Sequence, residues 1–551
     1  LSPILRRYVN QVAGELEGRG QAAGEEDRRE EVEERRQETG VRSQEAGKEQ
    51  REELSTQNLE LSPPLSSSSP SPLLPRLMFM QSNGGLTDAH TFQGKNSILS
   101  GPAGGIVGAV QTSKMAGLEK IITFDMGGTS TDVAHYAGEY ERAFETEVAG
   151  VRLRAPMMSI HTVAAGGGSI LFFDGSRYRV GPESAGANPG PACYRRGGPL
   201  TVTDCNVMLG RIQPEFFPHV FGINGDLPLD NEAVRQKFTE LTAEIHAKTG
   251  DSRMPEQVAE GFLDIAVAKM ANAIKKISVQ RGYDITEYTL CCFGGAGGQH
   301  ACAIAQSLGM KQVFIHPYAG VLSAYGMGLA NQSVMREQSV EDRLTDDLLP
   351  DLEQRVEILT QDAIAELKAQ IDADSTIQTL PRAHLKYEGT DSALVIPFGS
   401  VAEMSDCFEK AHFQRYGFIA TGKALVVEAL SVEVIGMMAA QQESAISAQR
   451  EQPLHAIATC PMYINGSWQD VPFYQRQDLV PGDTIPSPAV ILEATGTNLI
   501  APGWYAEINE KGHLIVKKAE GGEQEAEGIE KGEEGRQEAG VRRQESGVRS
   551  Q

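Results

Sequence analysis

Residues 120–136, KIITFDMGGTSTDVAHY, leave this chain little freedom of fold. Ile121, Ile122, Thr123 and Phe124 make a buried-type strand. Gly127-Gly128 permit a tight hairpin through their access to positive φ, and Val133-Ala134-His135 resume a strand. Asp125 stands at the end of the first strand, Thr129, Ser130 and Thr131 supply hydroxyls, and Asp132 adds a second carboxylate. Two glycines let backbone N–H groups come close to phosphate oxygens. A carboxylate beside them can hold Mg²⁺ through water, because that ion keeps much of its hydration shell. The alternative is an ordinary glycine hairpin with solvated aspartates; the strands on both sides of the turn count against it.

A second signal of the same kind is LCCFGGAGGQHAC at 290–302. An apolar strand ends at Phe293, Gly294-Gly295-Ala296-Gly297-Gly298 form a turn, and a helix opens near His300. A glycine turn at a helix start suits a phosphate or the edge of a nucleotide ring. It is neither GxGxxG with a downstream ribose acid nor a GK[ST] loop, so a dinucleotide fold and a Walker loop are both disfavoured. A tight structural turn stays open as the other reading. SGPAGGIVGAV (100–110) predicts a helix whose small residues allow close packing, HTVAAGGGSILFFDG (161–175) sets three glycines before a strand, and SAGANPGPACY (184–194) is a rigid loop. In TVTDCNVMLGR (201–211) Asp204 is expected to cap a helix, with a catalytic or metal role as the alternative. Val258, Phe262, Ile265, Ala266, Met270, Ala273, Ile274 and Ile277 recur at helical spacing and predict a long helix over 255–280. Beyond residue 340 come a charged helix at about 350–372, strands at 382–397 and 425–438, and a β-rich stretch at 460–517. These read as a separate C-terminal α+β domain over 340–517, behind an α/β domain at 76–335.

Charge and cysteine usage narrow the function classes. The net charge of -24 argues against a nucleic-acid surface and against binding to an anionic membrane, both of which need clustered positive charge. No window approaches 18 uninterrupted apolar residues, and no basic-then-apolar leader pattern is visible. Seven cysteines without regular spacing fit a reducing compartment, so a cytoplasmic location is expected. No CxxC or HExxH supports zinc. Cys291 and Cys292 read as small buried hydrophobes, and His161, His300 and His316 as structural.

A length of 551 residues suggests three or four domains, but the composition is uneven. Residues 17–60 and 519–551 are rich in Glu, Arg, Gln and Gly and contain heptads: RQETGVR at 36–42, RQEAGVR at 536–542 and RQESGVR at 543–549. A coiled coil needs two apolar positions per heptad, and these offer one Val at most. They predict solvated, disordered segments and suggest translated tandem DNA repeats. With the Ser/Pro run that follows, 17–75 reads as one disordered insertion. It is preceded by a predicted helix at 1–16 that belongs with the domain at 76–335, and a disordered tail is expected over 518–551. Loop-closure entropy grows only logarithmically, so such an insertion need not destroy the fold.

Five stretches taken in order resemble the hydantoinase A / ATP-dependent 5-oxoprolinase family, most closely its bacterial, cyanobacterial-type 5-oxoprolinases. They are FDMGGTSTDVAHY, HTVAAGGGSI, GPESAGANPGPACYRRGGPLTVTD, RGYDITEYTLCCFGGAGGQHACAIAQSLGM and HPYAGVLSAYGMGLA. The resemblance covers residues 1–16 and about 76–517. It implies an actin-like ATPase fold, related to ribonuclease H, with ATP and Mg²⁺ in the cleft and a β-rich domain after it. By that resemblance Asp125, Gly127, Gly128, Thr129 and Thr131 match a second phosphate loop, with Asp125 holding Mg²⁺ through water, and Gly294, Gly295, Ala296, Gly297 and Gly298 match an adenosine loop. Asp132 and Asp204 are the candidates for a catalytic base. The implied reaction opens 5-oxo-L-proline to L-glutamate with ATP hydrolysis, together with a B-type chain or fused domain. An N-methylhydantoinase, a ketone-carboxylase ATPase subunit and a non-catalytic remnant are the alternatives. The family's first phosphate loop would lie upstream of Leu1. The chain is therefore expected to be N-terminally truncated and to have little activity alone.

Overall fold

The computed structural model describes residues 76–148, 151–371, 375–437, 443–447, 450 and 452–519. The expected helix at 1–16, the 17–75 insertion and the expected 518–551 tail lie outside these residues, except that Lys518 ends a strand and Ala519 follows it.

The principal sheet is organised by β1 (Lys120–Met126), β2 (Thr131–Ala137), β3 (His161–Val163), β4 (Thr289–Phe293) and β5 (Gln312–Ile315), in spatial order β3-β2-β1-β4-β5. The first three form an antiparallel meander, and β4 and β5 run parallel to β1. Parallel neighbours need a long crossover. The helix α3 (Pro255–Ile277) lies in the connection that returns the chain to β4. Its predicted stripe is buried at Val258, Phe262, Ala266, Met270, Ala273, Ile274 and Ile277, whereas Ile265 is only partly buried. All five residues of β4 are buried, as expected of a strand covered on both faces. The helix α1 (Ser100–Met115) uses its small residues for close packing on helix Leu322–Leu329. A Cβ on Gly104 would lie 2.7 Å from the Ser323 carbonyl, and one on Gly108 2.7 Å from that of Leu322.

The stretch read as a C-terminal domain over 340–517 contributes strands to three sheets. Strands Thr484–Pro486, Trp504–Ile508 and Leu514–Lys518 extend the principal sheet beyond β5, with Val516 opposite Val313. Ile485, Trp504 and Val516 belong to the same buried cluster as Ile121 and Phe124. The physical reason is the outer edge of β5, whose unpaired backbone groups need a partner strand. The stretch from about 334 to 434 has a core of its own, and the separate four-stranded sheet within 458–500 has a smaller one. In the former, Gln332–Arg343, Leu425–Met437, Thr376–Tyr387 and Leu394–Pro397 form a sheet with Met78–Met80 and Leu86–Asp88. The sheet packs with helices Leu349–Lys368 and Val401–Tyr416.

Candidate functional site

β1 and β4 are in parallel register with Phe293 beside Asp125, so both glycine turns leave the sheet at the same end. Ligands of open α/β sheets bind at the carboxyl ends of such strands. In the hairpin, Asp125 pairs across with Asp132, and Met126 with Thr131. Gly127 donates its N–H to the Ser130 carbonyl at 3.2 Å. Among the described hydrogen bonds, none uses the N–H groups of Gly128, Thr129 or Ser130. Gly128 and Thr129 are exposed, and a Cβ placed on Gly127 or Gly128 would meet nothing within 4 Å. This is an open turn with three successive free donors, the arrangement that receives an anion.

The other side of the turn is closed by backbone on backbone. Gly167 N–H donates to Gly127 O (3.1 Å) and Gly168 N–H to Gly128 O (2.6 Å). A Cβ on Gly166 would stand 2.8 Å from the Ser130 nitrogen, and one on Gly168 2.9 Å from Gly128 O, so only glycine fits there. Thr203 then donates to Gly167 O through both its N–H (2.8 Å) and its hydroxyl (2.9 Å). In the sequence the 166–168 run is three glycines before a strand, within one of the five family-like stretches. Its function as the support of the phosphate-type turn depends on contacts far apart in the chain.

The carboxylates fall into two groups. Asp125 and Asp132 are neighbours on one face. Burial and the adjacent Asp132 charge push the Asp125 carboxyl up to about 6. Burial also raises Asp132, against a bond of 2.5 Å from the Thr162 hydroxyl. A half-buried pair of like charges of this kind takes up a proton or a divalent cation. Asp204 stands apart from them. It is fully buried in helix α2 (Val202–Met208) and accepts from Ala192 N (3.0 Å), Cys193 N (2.8 Å), Thr201 N (2.8 Å) and the Thr201 hydroxyl (2.9 Å). The N-cap is thus Thr201 and not, as the sequence led one to expect, Asp204; Asp204 is the third-position acid of a capping box. Its bonds tie the 191–194 loop to the helix that carries Thr203. Thr131 is buried with its hydroxyl donated to Ala165 O at 2.6 Å, so its contribution to the turn is structural.

The second glycine turn abuts the first. Gly294 has φ +82°, and a Cβ on it would lie 2.5 Å from Asp125 Oδ1. Ala296 N–H donates to Met126 O at 3.1 Å. Gly295 is exposed, whereas Gly297 and Gly298 are buried. A Cβ on Gly297 would fall 2.8 Å from Cys292 Sγ, and one on Gly298 2.0 Å from Asn498 Oδ1. The five residues therefore divide into an outer pair, Gly295 and Ala296, that can face a ligand and inner glycines that face protein.

His300 is buried, held near Asn206 (3.3 Å), and pushed down to about 3 by burial and Arg211. His161 lies in β3, half-buried. All seven cysteines are free, and Cys291 and Cys292 are buried in β4. One group of metal-type ligands occurs among the described residues: His316, Glu443 and His513. Its N···O separations of 2.8 and 2.7 Å are hydrogen-bond lengths. They are shorter than the roughly 3.3 Å between ligands of a tetrahedral ion bound at about 2.0 Å. The Tyr318 N–H also points at His316 Nδ1 (3.1 Å), which places that ring's own proton on Nε2, toward Glu443. Glu443 thus bridges the two imidazole rings by hydrogen bonds.

Residues 53–336 match the Hydantoinase/oxoprolinase family and residues 341–519 its Hydantoinase/oxoprolinase C-terminal domain. The chain is 39% identical to 5-oxoprolinase 1 of Arabidopsis thaliana over 455 residues, which are 80% of this chain and 36% of that one. The crystal structure of ATP-dependent caprolactamase from Pseudomonas jessenii matches with a TM-score of 0.71 and 28% identity, over 80% of this chain and 65% of that one. A nucleotide-free acetone carboxylase structure matches in fold with a TM-score of 0.62 and 23% identity, over 81% of this chain and 64% of that one. The chain spans about a third of the length of the first curated relatives it matches. Two family domains, five motifs in order and a shared mixed α/β architecture lead to one conclusion: the chain belongs to the hydantoinase/oxoprolinase family.

Proposed function

We propose that this chain is the A-type, ATP-handling portion of an ATP-dependent cyclic-amide hydrolase of the 5-oxoprolinase kind. The observation that carries this reading is the open Gly127–Ser130 turn, with three free amides, beside the Asp125–Asp132 pair at the carboxyl end of β1. The order β3-β2-β1-β4-β5, with β1 to β3 antiparallel and β4 and β5 parallel to β1, supports a ribonuclease H-like ATPase fold. The 5-oxoprolinase relatives and the structural similarity to an ATP-dependent caprolactamase support the reaction class.

A planar amide is a poor electrophile at neutral pH. Transfer of the γ-phosphoryl group of ATP to the lactam oxygen makes the ring carbon open to water. The C–N bond then breaks with a proton passing to nitrogen, and hydrolysis of the resulting acyl phosphate leaves a carboxylate and phosphate. Free amides at Gly128, Thr129 and Ser130 hold phosphoryl oxygens, and the acid pair beside them takes a proton or anchors Mg²⁺ through water. When bound, Mg²⁺ would neutralise charge on the transferred group, with Asp125 as its nearest anchor. Gly295 and Ala296 form the nucleoside side. Asp204 acts by holding α2 and the 191–194 loop.

A partner supplying a B-type chain or fused domain fits the subunit naming of the caprolactamase relative, which is called subunit alpha. A cytoplasmic location is part of the same proposal. The test is calorimetric titration of Mg-ATP into this chain, followed by ATP-coupled ring opening of 5-oxoproline, caprolactam and hydantoin, with and without a B-type partner. Micromolar binding that disappears in Gly128→Val supports the reading. Binding that survives Gly128→Val would overturn it.

A further inference from the structure

The segment that follows strand Leu425–Met437 of the second sheet is fastened to the principal sheet at three places, and no step of the proposed reaction uses it. Glu443 meets His316 and His513, the Ile446 N–H donates to Glu510 O at 2.8 Å, and Arg450 forks onto Asp483 with both bonds at 2.5 Å. At the first of these, His316 Nε2 and His513 Nε2 lie 2.8 and 2.7 Å from the two Glu443 oxygens. The Tyr325 hydroxyl donates to the oxygen that faces His316, at 3.2 Å. The other nitrogen of each ring fixes where its proton sits. Tyr318 N–H donates to His316 Nδ1 at 3.1 Å. Asn509 Oδ1 accepts from the N–H groups of Lys511 (3.0 Å) and His513 (2.8 Å), so the Asn509 amide turns its NH2 to His513 Nδ1 at 3.1 Å. Both rings are therefore neutral and aim Nε2–H at Glu443. Against the cost of burial, the bonds from His316 and His513 hold the Glu443 carboxyl well below the usual carboxylate range. The result is a carboxylate, 17% exposed, satisfied by three neutral donors.

A continuous run of hydrogen bonds leads from this carboxylate to the second glycine turn. The His316 ring receives Tyr318 N–H, the His316 carbonyl receives Ala319 N–H at 2.9 Å, and Ala319 O receives Gly294 N–H at 3.0 Å. Gly294 is the residue of φ +82° that opens the turn. The pairing of β4 with β5 ends at Cys291 and Phe314, so beyond it Gly294 depends on the 316–319 turn for its partner. An apolar side chain at 443 would cover both rings at less cost in desolvation. What the carboxylate adds is direction: it sets the plane of the His316 ring, and that ring holds the Tyr318 amide.

We infer that Glu443 is a positioning residue for the nucleoside side of the site: it orients His316 and, through it, the 316–319 turn from which Gly294 hangs. This rests on the ATP reading above but is separable from it. The phosphate groups are left to Gly127–Ser130.

Glu443→Ala removes the carboxylate and leaves three donors converging on a gap that formate, a bare carboxylate, can enter. Wild type and this variant, each with and without formate, are compared by hydrogen exchange of peptides spanning 293–300 and 316–322. The same samples are titrated with Mg-ATP, adenosine and inorganic tripolyphosphate. Glu443→Ala should speed exchange in both segments and weaken ATP and adenosine about tenfold, the scale of one charged hydrogen bond, with tripolyphosphate unchanged within about twofold. Formate should return exchange and affinity toward wild type, a response that mere covering of the two rings would not give. Tyr325→Phe keeps its ring and removes one donor of three. It should move the same readouts the same way by about two- to threefold, and it guards against a folding defect peculiar to Glu443→Ala. Wild-type exchange at 293–300 in both variants, no response to formate, or equal weakening of ATP and tripolyphosphate would overturn the inference. If wild type binds neither ATP nor tripolyphosphate, the functional reading fails, and exchange at 293–300 with its formate response still decides the positioning claim.

Discussion

Asp125 and Gly128 sit three residues apart and answer different questions. The Asp125 carboxyl is raised from 3.8 to about 6 by burial and by Asp132. A raised carboxyl pKa makes the folded state bind the proton more tightly than the unfolded chain does. The charged group therefore opposes folding above pH 6, and the opposition fades as pH falls to 3.8 and is absent below it. The shift corresponds to about 3 kcal/mol at most. Asp125→Asn should stabilise the metal-free chain by up to that amount at pH 7.5 and by progressively less toward pH 4, in urea titrations, while ATP hydrolysis falls. No stabilisation at pH 7.5 would mean that Asp125 is not strained by its neighbour. Gly128→Ala is the complement. Its Cβ meets no protein atom, so stability should change by less than about 1 kcal/mol. Nucleotide binding should fall at least about tenfold because the methyl group occupies the phosphate side. Melting temperature and calorimetry on the same sample check both halves.

The elements differ in how plainly the sequence announces them. Helix α3 is written in its 3.6-residue stripe, and the β1–β2 hairpin in DMGGT between two apolar runs. Both are local patterns. The 425–438 strand is likewise found, at Leu425–Met437, and the 382–397 stretch resolves into Thr376–Tyr387 and Leu394–Pro397, broken by the EGTDS turn. The support of the first turn by Gly166–Gly168, the capping role of Asp204 and the Glu443 bridge are not local. Each depends on a partner brought in by topology, and a run of glycines reads alike whether it faces ligand or backbone. A substitution at the element scale follows. Phe262 is fully buried in α3 and stacked on Tyr178 with ring centroids 4.7 Å apart. Phe262→Ala should destabilise by about 3–5 kcal/mol, read as a lowered urea midpoint with an unchanged slope. A loss under about 1 kcal/mol would show that the helix can repack around the gap.

At the scale of the whole molecule, the two largest cores are joined by charge as well as by chain. Arg142, in strand Arg142–Val148 beside the principal sheet, makes a two-pronged pair with Glu433 of the second sheet, at 2.8 and 2.7 Å, with 14% and 6% of the side chains exposed. Replacing Arg142 with Ala leaves the Glu433 carboxylate buried without its cation, which costs about 3–5 kcal/mol. Arg142→Met with Glu433→Leu removes both charges and should restore most of that loss. The double variant separates a need for attraction from the penalty of an orphaned charge. Sheet topology gives the companion argument. Strands 504–508 and 514–518 cover the open edge of β5, and Trp504, Ile508, Leu514 and Val516 fill the core that Ile121 and Phe124 begin. A chain ending at residue 480 should therefore not behave as a shortened but folded α/β domain. It exposes an edge of Gln312–Ile315 and removes part of the core behind both glycine turns, so aggregation and loss of cooperative melting are expected. A soluble, cooperatively melting 76–480 fragment would show instead that the sheet closes on β5 and that the last strands are an appendage.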